Sequence, residues 1–136
     1  MRRKDCNGFV ALEWVASIAL LLLPVVVLVA TLPGWAERRH AATVAAREAA
    51  RVLERDWPNA NPAEAELVAR SIAGDHGIDE RDVAVRVVSA GESRGSLVQV
   101  DVRVRMPAVD VPGLARVAGW TYTATSTRRI EDYRSR

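Results

Sequence analysis

The chain is poor in the residues that most often carry chemistry. Cys6 is its only cysteine, so no disulfide can form within it. A structural zinc site needs four ligands, and Cys6, His40 and His76 supply three scattered candidates, so no metal is expected. Lys4 is the only lysine, and the other basic residues are arginines. The formal net charge of +2 is too small for a nucleic-acid-binding face. No phosphate-binding glycine loop, G-x-S-x-G elbow or H-E-x-x-H pair is present, and no nucleophile has a visible base. These absences argue against an enzyme and against a cofactor. The run from Asp75 to Asp82 gathers acids around His76, but it lacks the ligand order of a calcium loop and reads as a polar turn.

Long apolar runs are absent after Trp35 and concentrated before it. Met1 to Gly8 is short, basic and polar, and Phe9 to Leu32 is almost wholly apolar. That second run would form a helix of roughly 36 Å, enough to cross a hydrocarbon core of about 30 Å. Val15 to Leu32 contains no charge. Glu13 is the exception within the run. A carboxylate in hydrocarbon costs about 2.5 kcal/mol or more, so it marks either an interfacial position or a function with a partner.

A basic leader ending in Gly8, an aromatic Phe9, and one acid at the fifth position after the glycine together resemble the class III signal of type IV prepilins. The resemblance implies cleavage between Gly8 and Phe9 by a prepilin peptidase, and it makes Glu13 the residue that sets a subunit's register during assembly. The physics is compatible with it. Cleavage creates an amine on Phe9 one helical turn from Glu13, and a desolvated carboxylate requires such a counter-charge. Losing the leader removes Arg2, Arg3, Lys4 and Asp5 and takes the formal charge from +2 to zero.

Arg2, Arg3 and Lys4 favour a cytoplasmic N-terminus, although Arg38 and Arg39 follow the span closely. Gly34-Trp35-Ala36 has the small-x-small form of a secretory cleavage site, but the apolar core before it exceeds the roughly 7–15 residues usual for such signals. Pro24 should bend the helix, and Pro33-Gly34 should break it near Trp35, a residue suited to the interfacial belt.

The remainder reads as α+β. Ala41 to Trp57 is an alanine- and arginine-rich helix ended by Trp57-Pro58. Its narrow stripe of Ala45, Ala49, Val52 and Leu53 suggests close packing on a partner. Asn61-Pro62 opens a second helix running to about Gly74, with Leu67, Val68 and Ile72 expected inside. Val83, Val85 and Val87, then Val98 to Met106, then Trp120 to Arg129 alternate as strands of a small antiparallel three-stranded sheet. Ser89 to Gly95 is read as a loop, and Pro107 to Gly119 as an apolar loop with one helical turn.

The expected organisation is a leader over 1–8, a transmembrane helix over 9–34, a helical stalk over 35–57 and a small α+β domain over 62–136. This order is similar to that of the TadE/TadF family, accessory pseudopilins of tight-adherence (Flp) pili. The resemblance implies a membrane-anchored subunit of the inner membrane with a cytoplasmic N-terminus and an extracytoplasmic domain. Its partners would be other pilins, the prepilin peptidase, the platform of the Tad secretion system and membrane lipid. The alternatives are an uncleaved bitopic protein with a small binding domain, or a secreted domain released near Ala36.

Overall fold

The computed structural model describes residues 7–57, 59–90, 95–111 and 115–130, with residues 7–10 described by their backbone alone. The leader up to Cys6, Pro58 at the end of the first helix and most of the Ser89 to Gly95 loop lie outside the described residues.

The protein is α+β, with one long apolar N-terminal helix, a short second helix and a three-stranded antiparallel sheet. The first helix, α1, spans Asn7–Arg55 without interruption, 49 residues and therefore about 73 Å. It contains both Pro24 and Pro33. The expected break at Pro33-Gly34 does not occur, and span and stalk are one rod. A proline removes one intrahelical hydrogen bond, and the flanking residues are mostly good helix formers. Immediately downstream, packing against the sheet holds the rod. The hydroxyls within the apolar stretch are satisfied by the helix itself: Ser17 donates to the Glu13 carbonyl at 2.8 Å and Thr31 to the Leu28 carbonyl at 2.8 Å.

Helix α2, Pro62–Asp75, begins as its sequence dictates. The Asn61 side chain accepts from the Ala63 N–H at 3.0 Å, and Pro62 occupies the first turn. It ends in a left-handed cap at Gly77, φ +68°. There Ile78 N–H donates to Ala73 and Gly77 N–H to Gly74, the paired bonds of a Schellman motif. The acidic run around His76 is thus consumed by a helix stop and by one 3-10 turn, Glu80–Asp82, which Asp79 caps through the Arg81 N–H.

Strands β1 (Val83–Ala90), β2 (Leu97–Arg105) and β5 (Thr121–Arg129) pair antiparallel in the order β1-β2-β5. Between β2 and β5 the chain forms a second, two-stranded hairpin, β3 (Val109–Val111) and β4 (Ala115–Val117). This replaces the helical turn expected there. Val109, Val111 and Val117 favour extended backbone, and Val109 is buried.

The core explains why the alanines are there. Val98, Val100, Val102, Val104 and Met106 point from β2 to one face, as their alternation predicts. Against that face and α2 lie Ala41, Ala42, Ala45, Ala46, Ala49, Ala50 and Leu53 of α1. Helix α2 contributes Ala65, Ala69 and Ala73. Methyl-sized side chains let the two helices and the sheet approach closely. The alanine stripe therefore covers the chain's own core rather than a partner. Leu67, expected inside, is 68% exposed, because the buried face of α2 follows the 65-69-73 spacing instead.

Candidate functional site

Two features of α1 define the candidate site: its N-terminal turns, and the point where its apolar segment meets the folded domain. Backbone helix begins at Asn7, so the Gly8–Phe9 peptide lies inside the first turn. Glu13 stands four residues after Phe9, which puts both on one side of the helix about 6 Å apart along its axis. Among the described residues no ion pair involves Glu13.

The apolar segment is long enough to cross a membrane, and no part of it is buried by the described residues. This separates it from the core helix of a soluble domain, whose apolar face would be covered. Leu12, Trp14, Val15, Ile18, Leu21 and Val26 are all exposed. The charge-free stretch from Val15 to Leu32 is about 27 Å long, close to one hydrocarbon thickness of about 30 Å. Glu13 and Trp35 flank this stretch, roughly 33 Å apart along the axis.

At the Trp35 end the tertiary fold assembles a collar. Trp35 meets Trp120 edge to face with centroids 6.5 Å apart, and Trp120 meets Tyr122 in the same way at 6.5 Å. Arg39, one turn beyond Trp35, lies over the Tyr122 ring, 5.3 Å from its centroid. The Arg39 guanidinium beside the phenol holds the Tyr122 pKa below its ordinary value, against the opposing effect of burial. Arg38 donates to the Arg105 carbonyl at 2.9 Å and pairs with Asp82 at 3.3 Å. The Met106 N–H donates to the Trp120 carbonyl at 2.7 Å. Gly119 is required beside it, since a Cβ there would stand 2.7 Å from the Met106 carbonyl oxygen. On the next face of α1, His40 meets His76 at the end of α2, ring centroids 6.3 Å apart. Arg39 and His40 thus bring β5 and α2 to neighbouring faces of one helix.

Gly8 and Phe9 lie on the first described turns of α1, and Glu13 is exposed there. The sequence pointed to Trp35 as an interfacial residue and to Trp120 and Tyr122 as strand residues. Their meeting depends on the sheet order, which no local pattern states. Among the described residues no group of three metal-ligating side chains comes together. No protein-family model, curated protein or solved structure gives a significant match to this chain.

Proposed function

We propose that the chain is an accessory (minor) pseudopilin of a Tad/Flp-type pilus assembly system. In this reading a prepilin peptidase cuts it after Gly8, and it acts as a structural and interaction subunit rather than an enzyme. The observation that carries the proposal is Glu13. It is the single acid at the head of the exposed apolar segment of α1, one turn after a Gly–Phe peptide, and among the described residues none supplies a counter-charge. An amine on Phe9, of the same or a neighbouring subunit, would supply one. The architecture supports the reading, because a rod that is exposed in its first half and sheathed by a small sheet in its second can pack side by side with other such rods.

The orientation that follows has the leader in the cytoplasm, α1 across the inner membrane and the sheet domain outside. The peptidase, neighbouring pilins and the membrane platform are its partners. Gly8 has a specific task here. Helix begins at Asn7, so a protease must unwind the first turn, and glycine lowers the cost of unwinding by about 1 kcal/mol relative to alanine.

Co-expression with a prepilin peptidase, followed by intact-mass analysis, tests the proposal. The expected product begins at Phe9, and Gly8→Leu should leave the chain full length. Glu13→Ala should still be cut but should fail to enter assemblies. A chain that keeps its leader alongside an active peptidase favours the uncleaved bitopic protein, and a soluble product starting near Ala36 favours secretion.

A further inference from the structure

We propose that the Trp35–Trp120–Tyr122 collar, together with Arg39 and Arg105, seats the folded domain on the lipid headgroup layer of the bilayer that α1 crosses. The inference rests on reading α1 as a membrane span, and it adds a second contact, made by the domain rather than by the helix.

Helix α1 continues from Leu32 through Ala41 with no break, so the domain cannot swing freely about a linker. Trp35 stands about 4.5 Å and Arg39 about 10 Å beyond Leu32 along the axis. Trp35 falls within the polar layer of about 5–8 Å that separates hydrocarbon from water on each side, and Arg39 stands just beyond it, within reach of its long side chain. The sheet meets the helix at this height by its membrane-facing end, where β2 finishes at Arg105 and β5 starts after Trp120. The β3–β4 hairpin leaves from the same junction, and β3 touches α1.

Tryptophan and tyrosine have flat apolar bodies and a polar tip, and they concentrate where hydrocarbon gives way to headgroups. Trp120 meets Trp35 and Tyr122 edge to face yet remains 47% exposed, a large apolar surface left open. Trp57, near the far end of α1, instead packs against the core.

Arg38, Arg39 and Arg105 lie at the collar, and Arg116 follows on β4. Arg38 is engaged by Asp82, and Arg116 by Asp110 at 3.5 Å. Glu37 is the remaining nearby acid on α1. Arg39 and Arg105 are exposed and form no salt bridge with any described residue. An aromatic shelf flanked by such guanidinium groups matches a layer of phosphodiesters, which arginine binds through paired hydrogen bonds.

The test uses the full chain in vesicles of phosphatidylcholine with a minority of phosphatidylglycerol. Variants keep one tryptophan each and carry phenylalanine at the other three positions. A nitroxide on the lipid headgroup should remove most of the Trp120 emission and leave Trp57 bright. A nitroxide in the acyl chains should quench Trp14, which reports the span alone. Arg39→Gln combined with Arg105→Gln should weaken Trp120 quenching. Should the triple variant unfold, the difference in quenching between wild type and Trp120→Phe reads the same contact. Trp120 as bright as Trp57 while Trp14 is quenched overturns the collar contact and leaves the span intact. Trp14 unquenched overturns the span and the collar proposal with it. Trp120 shielded from the label only at high protein density assigns the surface to a second copy and also overturns the proposal.

Discussion

Replacing Ala46 by leucine tests whether the alanine face of α1 is the domain's own core. Ala46 is 1% exposed, in a row with Ala42 and Ala50, which are fully buried. The added isobutyl group has no cavity to enter, because the row lies against a face of closely packed valines and a second alanine-faced helix. Over-packing of this kind costs about 1–3 kcal/mol. For a folded unit of about 60–100 residues, each kcal/mol shifts the melting midpoint by about 4–8 °C, so a drop of roughly 4–24 °C is expected. The assay is thermal unfolding of the full chain in detergent, followed by near-ultraviolet circular dichroism, which reads Trp35 and Trp120 at the collar. Arg47→Leu, on the exposed side of the same helix, is the control and should stay within about 0.5 kcal/mol of wild type. If Ala46→Leu melts at the wild-type temperature, the helix does not pack on the sheet, and the alanines serve some other surface.

Three further outcomes follow from named contacts. Gly119→Ala should lower the melting temperature and loosen the collar, because its Cβ would collide with the Met106 carbonyl; blue-edge fluorescence of Trp120 reports the loosening. Asn61→Ala removes the acceptor for the Ala63 N–H and should cost about 0.5–2 kcal/mol in the same melt. The Asp101 carboxyl is held below its ordinary value, first by the Thr125 hydroxyl and then by the Gln99 amide, both of which donate to it. A depressed carboxyl stabilises the fold above its unfolded pKa of about 3.9 and loses that contribution as pH falls through the folded value. Asp101→Asn should therefore lose less stability than wild type between about pH 5 and pH 3, by under about 1 kcal/mol for so open a site.

What could be read in advance was what depends on short-range pattern. The strict alternation from Val98 to Met106 placed five side chains on the buried face of β2, and all five are there. Asn61-Pro62 marked the start of α2 for the same reason: a cap is a local bond. The misreadings came where distant packing decides. Pro33-Gly34 has the composition of a break, yet the helix passes through it, because the turns on either side are held by other means. Leu67 lost the inward face of α2 to three alanines, since close approach between α1 and α2 matters more than the size of one side chain. Pro107 to Gly119 carried both turn-forming and β-forming residues, and pairing between Val109 and Val117 settled the conflict. The triad of Gly8, Phe9 and Glu13 was visible as a pattern because it is contiguous. The collar was not, because its members come from α1 and β5, more than 80 residues apart in sequence.

One rod doing two jobs also accounts for the composition of the chain. Upstream of Leu32 most of the large exposed side chains of α1 are leucine and valine, whose bulk suits a solvent of acyl chains and carries no demand for a fixed partner. Downstream of His40 the buried ones are alanine, whose small size suits a protein surface of fixed shape. Between these regimes lie Trp35 to Arg39, bulky and amphipathic or charged, which fit neither interior and are gathered by the sheet end into one collar. The helix has no joint at that level, so tilt of the span sets the height of the collar, and contact of the collar restrains the tilt. A flexible insertion after Gly34, such as four glycines, should therefore leave the melting temperature of the domain nearly unchanged while releasing Trp120 from a headgroup quencher. If the insertion instead leaves the quenching intact, the collar binds without the rod's help, and α1 is a tether rather than a lever.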